Sequence, residues 1–549
     1  MDLSISHLQT SLSNISLDKF RPIQGLHGNE FYNKHGIEHY KLLAYLSTLF
    51  HDQEIFDIGT HMAASAIALS YNPTNTIHTF DIQNGHLNKS EQGPTSIQNI
   101  KFHLYDLMNP VTRSPWAERL LASPLIVLDI DPHEGSMEYD FYCWLLANEY
   151  KGLLFLDDIW YFKGMRNNLW HKIPSEYKHD LTPVGHWSGS AIVSFDKDLV
   201  ASWKPSTPLN KSWTLVTAYY DLTAMSDASV EINKRPTDHY LANAAATLAL
   251  DHNLVVYCEA KTIDMIKALR PECLANKTRY VVNSFDDFPM TQFRNKIIEN
   301  RRTHPYQFDN RNTASYYLFC MARYAMLKET ITSNTFGSSH FAWINICIER
   351  MGYKNLVYLE DALQQYRDKF STCYIDYLSP QLIANLPSYF QWGRCSMCSG
   401  FFTGNADYMY KVCDLIEKKF HHFLELGYGH ADEQLYSPVY FENKDLFDPY
   451  LGDYQQMITN YTLVRDESWR PVRQVLQNAY NQKDFDTALL VCRLYTKSLR
   501  AGTAAIDDPT FLVFIKMYVV SSFTNGTLED FNNIKELCVT RGIPFTSLI

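Results

Sequence analysis

EIFDIGTHMAASAIALSYNPTNTIHTFDI, residues 54–82, decides the fold. Its ends, EIFDIG (54–59) and TIHTFDI (76–82), are short apolar runs rich in β-branched and aromatic residues, and AASAIALS (63–70) between them is a small-residue helix. A strand, a helix and a second strand in so short a span form a parallel crossover unit. Further strands follow at IKFHLYDL (100–107), PLIVLDI (124–130), GLLFLDDI (152–159) and SAIVSF (190–195), with a helix near 138–150. Before the unit, Leu42, Leu43, Leu46, Leu49 and Phe50 repeat at helical spacing, which predicts a helix over 38–50. Strands apolar on both faces and separated by helices predict a parallel sheet covered on both sides, a doubly wound α/β fold.

Ligands of such sheets bind beyond the carboxyl ends of the strands, so the residue at which each run stops is informative. Asp57, Asp81, Asp106, Asp129 and the pair Asp157 and Asp158 end five consecutive runs. Any one of them has an ordinary use as a helix cap, but five in succession exceed that use. Asp81, 24 residues after Asp57, stands near the interval of about 20 at which a second-strand acid meets ribose hydroxyls, which fits an adenosine-containing cofactor. Asp129, Asp157 and Asp158 at adjacent strand ends would offer three hard oxygen ligands to Mg²⁺ or a similar cation, and carboxylates so placed repel one another unless a cation or protons neutralise them.

The 549 residues are enough for three or four domains, and 46% hydrophobic with 20% charged residues excludes wholesale disorder. A net charge of −11 is the wrong sign for a chain that must neutralise many phosphates, so nucleic acid is not the expected partner. The N-terminus lacks a basic and apolar leader, and the most apolar late stretch, FLVFIKMYVV, is interrupted by Lys516, so neither a signal peptide nor a membrane span is expected. Eleven cysteines, an odd number without a framework spacing, fit a reducing, cytoplasmic compartment. The lone C-x-x-C, Cys395 to Cys398, lacks the second pair that a zinc site needs.

Lys204-Pro-Ser-Thr-Pro208 is the best linker in the chain and divides it at about residue 205. A second α/β region, 206–465, opens with TLVTAYYDL (214–222), a helix over LANAAATLALD, and strands at NLVVYCE (253–259), TRYVVNSF (278–285) and FAWINI (341–346). A helix over about 406–425 should start at Asn405 as N-cap. The region has neither a dinucleotide GxGxxG nor a P-loop. Beyond residue 466 the pattern is helical throughout, with Gly502 and Gly542 where helices should stop. Packing against the middle region or self-association through these helices is the expected role.

Two resemblances give these patterns a chemistry. GIEHYKLLAYLS, IFDIGTHMAASAIALS, HTFDI, IVLDIDPHEGSMEYDFYCWL, YKGLLFLDDIWYFKGMR and GHWSGSAIVSF resemble the class I S-adenosylmethionine-dependent O-methyltransferase domain of sugar-decorating enzymes of large DNA viruses and, more distantly, bacterial metal-dependent sugar O-methyltransferases. That likeness implies a Rossmann-like methyltransferase domain. Asp57 and Gly59 would line the methionine end of the cofactor, Asp81 its ribose and Asp106 its adenine. Asp129, Asp157 and Asp158 would hold Mg²⁺ or Mn²⁺, with Asp131 as the competing first ligand. His133 is the candidate general base, because imidazole titrates near neutrality. The resembling domains carry glycine where this chain has Ala63, a position where a glycine serves close approach or a positive φ.

TLVTAYYDL, IKALRPECLANKTRYVV, SSHFAWINICIERMG, CSGFFTGNADYMYKVC, GHADEQLY and LFDPYLGDYQQMITNY resemble the HtrL/YibB family, which implies a GT-A-like glycosyltransferase domain acting on a nucleotide sugar. Thr217, Ala218 and Tyr219 would border the base, Arg270 and Lys277 the diphosphate, and Gly400 and Gly404 the sugar. Asp432 or Glu433 would activate the acceptor hydroxyl, unless Asp432 merely caps the helix beginning EQLYSP. Asn345 stands where the family has a metal-binding aspartate. Its missing charge would cost a cation about 4 kcal/mol for a pair at 4 Å and an effective dielectric of 20.

The expected function is therefore a bifunctional enzyme of glycan biosynthesis, with a nucleotide-sugar donor and a glycan acceptor as partners. The competing expectation keeps one active site and makes the other region a scaffold or glycan-binding module.

Overall fold

The computed structural model describes residues 1–23, 31–32, 37–83, 92–203, 212–229, 236–304, 312–391, 393–429, 432–465 and 469–543. The described chain forms two compact units, Met1–Thr207 and Pro208–Ile549. The proposed linker, Lys204–Pro208, lies outside the described residues.

The first unit holds β1 (Glu54–Ile58), β2 (Thr76–Asp81), β3 (Ile100–Leu104), β4 (Leu125–Leu128), β5 (Leu153–Leu156), β6 (Lys178–Asp180) and β7 (Ala191–Ser194). They make one sheet in the order β3-β2-β1-β4-β5-β7-β6. The runs LIVL and LLFL are buried along their whole length because both sheet faces are covered, which is why they read as unbroken apolar stretches. β1 to β5 are parallel, as expected, whereas β7 runs antiparallel to β5, and β6 antiparallel to β7. The expectation of a wholly parallel sheet is corrected to a mixed one. Helices Ile37–Thr48 and Ala64–Leu69 pack their apolar faces on the sheet, with Leu42, Leu43, Leu46, Ile67 and Leu69 in the core beside Ile55, Val127 and Phe155. The result is a doubly wound α/β unit built on a mixed sheet.

The second unit is also a seven-stranded mixed sheet: β8 (Trp213–Tyr219), β9 (Asn253–Cys258), β10 (Thr278–Val282), β11 (His340–Ile344), β12 (Ser371–Tyr374), β13 (Met397–Asn405) and β14 (Tyr450–Leu451) in the order β10-β9-β8-β11-β13-β12-β14. β8 to β11 are parallel, and β13 runs against β11, placing Phe401 opposite Ile344 and Asn405 opposite His340. The stretch expected as one helix over LANAAATLALD is instead two short ones, Thr237–Leu241 and Ala245–Leu248. The long helix is as expected, Ala406–Glu425, with the Asn405 side chain accepting from the Tyr408 N–H.

The C-terminal helices, Trp469–Asn481, Phe485–Arg500, Asp508–Asn525 and Leu528–Thr540, form a layer whose Val475, Leu489, Phe514 and Ile534 join the same hydrophobic core as Trp343, Phe370 and Tyr374. Gly502 and Gly542 end their helices in the left-handed region, at φ 68° and 64°. Arg493 grips Asp530 through two hydrogen bonds of 2.8 and 2.6 Å, tying the second of these helices to the fourth. No helix among the described residues is long and apolar enough to cross a membrane. The cysteines are all free thiols.

Candidate functional sites

At the carboxyl edge of the first sheet, the turn after β1 passes through Gly59 at φ 111°. A Cβ there would lie 1.6 Å from the Asp129 carbonyl oxygen, so only glycine lets β1 and β4 meet at this height. Ala63, four residues on, has φ 68° and ψ 22°, and the position is one that needs a left-handed residue. Ala63→Gly is therefore expected to stabilise the chain by about 1 kcal/mol, read from the denaturant midpoint; a destabilisation of similar size would mean that the Ala63 methyl, which is fully buried, matters more than its backbone.

Asp57 is buried and accepts from Thr79 Oγ1 at 2.7 Å. Burial pushes its carboxyl up to about 6, with the Thr79 bond opposing. Asp81 accepts from the backbone N–H groups of His61 (2.8 Å) and Gln83 (3.0 Å). Two of its roughly four lone-pair directions remain for hydroxyl donors. Asp106, two residues past the end of β3, accepts from the N–H groups of Met108 and Asn109 at 2.9 and 3.3 Å.

Asp129, Asp157 and Asp158 follow β4 and β5, but they divide into two groups. Asp129, Asp158 and His133 have ligand atoms within 4.8 Å of one another, and Asp157 does so with His39 and His186. Burial, then Asp157 and Asp158, hold the Asp129 carboxyl well above its usual range. Burial and Asp157 likewise push Asp158 up to about 6. Burial also acts to raise Asp157, but His39 and His186 more than offset it and bring it down to about 2. His133 Nε2 lies 3.3 Å from Asp131 Oδ1 and 3.6 Å from Asp158 Oδ2, and its ring stacks on Phe162 at 4.3 Å between centroids. Asp131 is 91% exposed and joins neither group. His133 and Asp158 both have φ 58° and His61 has φ 41°, so four non-glycine residues of this edge, with Ala63, sit at positive φ. Strain of that kind collects where a fold positions functional groups.

The raised carboxyls have a consequence for stability. An unfolded aspartate loses its proton near pH 3.9, whereas folded Asp158 keeps it to about 6. Between those values the folded chain binds more protons, so its stability falls as pH rises through that window. In chelator-treated protein, Asp158→Asn is therefore expected to gain stability over wild type at pH 7 and none at pH 4, in paired thermal melts. A gain that is the same at both pH values would contradict the assignment.

In the second unit, Asn345 follows β11. Its N–H donates to the Gly400 carbonyl at 2.9 Å and its Oδ1 accepts from Trp343 Nε1 at 3.0 Å. Gly400 makes room for this group: a Cβ there would lie 2.8 Å from Met457 Sδ and 3.2 Å from Asn345 Nδ2. Beside it, Glu433 accepts from the Ser399 N–H (3.0 Å) and hydroxyl (3.1 Å) and from Tyr454 OH at 2.6 Å. Burial and the neighbouring Asp432 raise the Glu433 carboxyl, with the Tyr454 and Ser399 bonds opposing. Asp432 is 1% exposed. It makes no helix-cap bond and instead lies 3.2 Å from Arg323 Nη1 and accepts from Tyr324 OH at 2.7 Å. The cap reading of Asp432 is thus corrected to a buried ion pair, and Glu433 is the more accessible of the two acids.

The remaining expected donor residues are not gathered there. Thr217 and Ala218 are interior strand residues, while Tyr219 reaches the edge and bonds Thr237 Oγ1 at 2.9 Å. Arg270 donates to the carbonyls of Leu248 and Leu250, both at 2.7 Å, and to His252 at 3.1 Å, and Lys277 pairs with Asp251 at 2.6 Å. All of these lie where β9 and β10 begin, so the diphosphate role expected for Arg270 and Lys277 is corrected to fastening the amino edge of the sheet. Gly404 pairs with Phe341 at the start of β11, away from Asn345, and a Cβ there would make only ordinary contacts. Arg323, Ser399 and Tyr454, and in the first unit His39 and His186, went unsingled in the sequence. His39 had one signal, a polar residue on the apolar face of its helix.

Known proteins resemble the chain in part. Among solved structures, 4-diphosphocytidyl-2C-methyl-D-erythritol synthase from Anaerococcus prevotii DSM 20548 is 10% identical with a TM-score of 0.23, over 51% of this chain and 100% of that one. An apo TDP-rhamnose 3'-O-methyltransferase of calicheamicin biosynthesis is 15% identical with a TM-score of 0.23, over 35% of this chain and 92% of that one. No curated protein matches the chain in sequence. Residues 211–462, the greater part of the second unit, match the HtrL_YibB family, described as a bacterial protein of unknown function.

Proposed function

We propose that the chain modifies glycans at two sites, methylating a sugar hydroxyl in the first unit and transferring a sugar from a nucleotide donor in the second. The observation that carries the first half is the convergence of Asp129, Asp158 and His133, with Asp157 behind them, at the carboxyl edge of a methyltransferase-like sheet. The carboxylate oxygens of Asp129 and Asp158 would hold a divalent cation, with His133 beside them kept as the base. Burial and mutual repulsion raise the Asp129 and Asp158 carboxyls, and Asp157 Oδ1 is buried with no hydrogen-bond partner.

S-adenosylmethionine would supply the methyl group, and Mg²⁺ or Mn²⁺ the positive charge that acidifies a sugar hydroxyl. The chain's own part is to orient and deprotonate. Asp81 offers its free lone pairs to the ribose, Asp106 borders the adenine, and Asp57 with Gly59 shapes the methionine end. His133 Nε2 accepts the hydroxyl proton, and Asp131 at 3.3 Å steadies the imidazolium that results.

In the second unit Glu433, half-buried and with its carboxyl raised by burial, is the base for the acceptor hydroxyl. Asn345 and Tyr219 line the donor side. Because Asn345 brings no charge, dependence on a cation should be weak. Hydrolysis of a panel of nucleotide sugars by the full chain is expected with modest or no Mn²⁺ stimulation, and Asn345→Asp should increase that stimulation. An absolute need for Mn²⁺ in the wild type would overturn the reading of Asn345. The amino-edge positions of Arg270 and Lys277 favour one other reading, in which the second unit is a glycan-binding scaffold; binding of no nucleotide sugar, with glycans still bound, would establish it.

A further inference from the structure

Behind the carboxylate edge of the first unit, three donors from three separate elements meet. His39 stands on helix Ile37–Thr48, Asp157 follows β5, and His186 lies in the loop before β7. We propose that His39, Asp157 and His186 form a second cation site, selective for a borderline transition ion of the Zn²⁺ or Co²⁺ class over Mg²⁺.

The geometry is that of one carboxylate held between two imidazoles. His39 Nδ1 is 3.7 Å from Asp157 Oδ1, and His186 Nδ1 is 3.7 Å from Asp157 Oδ2. Both separations are too long for a hydrogen bond. Two ligands held at about 2.1 Å from one Zn²⁺ lie about 3–3.6 Å apart, so an ion would draw the three side chains together by about an ångström or less. The three ligand atoms already fall within 4.8 Å of one another. His39 and Asp157 are each 6% exposed, and Asp157 Oδ1 is buried without a hydrogen-bond partner, an acceptor that a folded protein seldom leaves unmet. The imidazole centroids are 5.3 Å apart and the rings tilted by 54°, with the hydroxyls of Ser188 and Ser190 at 2.6 and 3.4 Å from the His186 and His39 nitrogens. Those hydroxyls are rotors and must turn aside for an ion.

Ligand chemistry separates this site from its neighbour. Two imidazoles and one carboxylate suit Zn²⁺, Co²⁺ or Ni²⁺, whereas the Asp129 and Asp158 pair suits a harder ion such as Mg²⁺ or Mn²⁺. The sites adjoin, since His186 Nδ1 is also 4.0 Å from Asp158 Oδ1. An ion on His39, Asp157 and His186 would therefore neutralise Asp157 and fix the backbone from which Asp158 projects. The proposal stands on its own geometry and goes beyond the methyl-transfer reading.

The test uses the full chain, stripped with a chelator and dialysed. Titration with Co²⁺, followed by visible absorption and by X-ray absorption of the bound ion, is expected to show one site with two nitrogen ligands. Affinity should fall by about tenfold or more in His39→Gln and in His186→Ala and hold in Asp129→Asn. Wild type that binds no Co²⁺, Co²⁺ ligated by oxygen alone, or affinity unchanged in both histidine variants would overturn the site. Should a histidine variant fail to fold, judged by circular dichroism, the ligand set of the wild-type ion decides by itself. Mn²⁺ binding to Asp129→Asn keeps the two ideas apart: Mn²⁺ affinity unaltered by that substitution removes the methyl-transfer cation and leaves the histidine site standing.

Discussion

Asp158→Asn is expected to lower methyl transfer from S-adenosylmethionine by about a thousandfold, and excess EDTA to lower it by as much in the wild type. A cation that acidifies the attacking hydroxyl contributes several kcal/mol of transition-state stabilisation, and about 4 kcal/mol corresponds to a factor of roughly a thousand. The substitution keeps the shape of the side chain and removes the charge. Asp158 Oδ2 faces His133 at 3.6 Å, and Asp158 stands in one group with Asp129. Transfer of a labelled methyl group to sugar acceptors, with and without chelator, reads both effects. Activity that survives EDTA would instead favour a cation-free route in which His133 alone removes the proton, and His133→Gln should then be the severe variant.

Arg323→Met is expected to destabilise the chain by about 3–5 kcal/mol, the cost of leaving one partner of a buried pair without its counter-charge. Asp432 is 1% exposed and would keep only the Tyr324 hydroxyl at 2.7 Å and a long contact with Ser399. Arg323 also donates to the Ser399 carbonyl at 2.7 Å and lies over the Trp343 ring at 5.2 Å, so the loss reaches the strand that carries Glu433's partner. Adding Asp432→Leu should recover most of the stability, because an apolar pair of similar volume no longer buries a lone charge. Denaturant midpoints of the single and double variants check this, and a single-variant loss under about 1 kcal/mol would mean that Asp432 is solvated.

The parallel core of the first unit was legible because its strands are buried on both faces. IFDI, LIVL and LLFL are unbroken apolar runs, and the acids that stop them fall at one edge of the sheet. Strand direction was not legible. AIVS reads the same whether β7 runs with β5 or against it, and KHD of β6 is too short and polar to register as a strand at all. In the second unit MCSGFFTGN, with its two glycines, gives no strand signal in the sequence, although it is a nine-residue central strand. Gly400 is there because Met457 and Asn345 fill the space that a side chain would need.

The misplacement of Lys277 could have been avoided. It immediately precedes β10, and a residue that precedes a strand stands at the amino edge, opposite the ligand side. The division of the aspartates could not. Asp157 and Asp158 are neighbours in the chain, but successive side chains leaving a strand point to opposite sides, so one meets His39 and His186 and the other meets His133. The histidines that draw Asp157 away come from a helix more than a hundred residues earlier and a loop almost thirty later, a convergence that only the folded chain reveals.

Binding of S-adenosylhomocysteine to the full chain by calorimetry tests the methyltransferase reading most directly, since it requires neither the acceptor nor the chemistry. Saturable binding of one ligand per chain is predicted, weakened in Asp81→Ala and tightened in Ala63→Gly. No heat at millimolar ligand, from a chain shown to be folded, would contradict it.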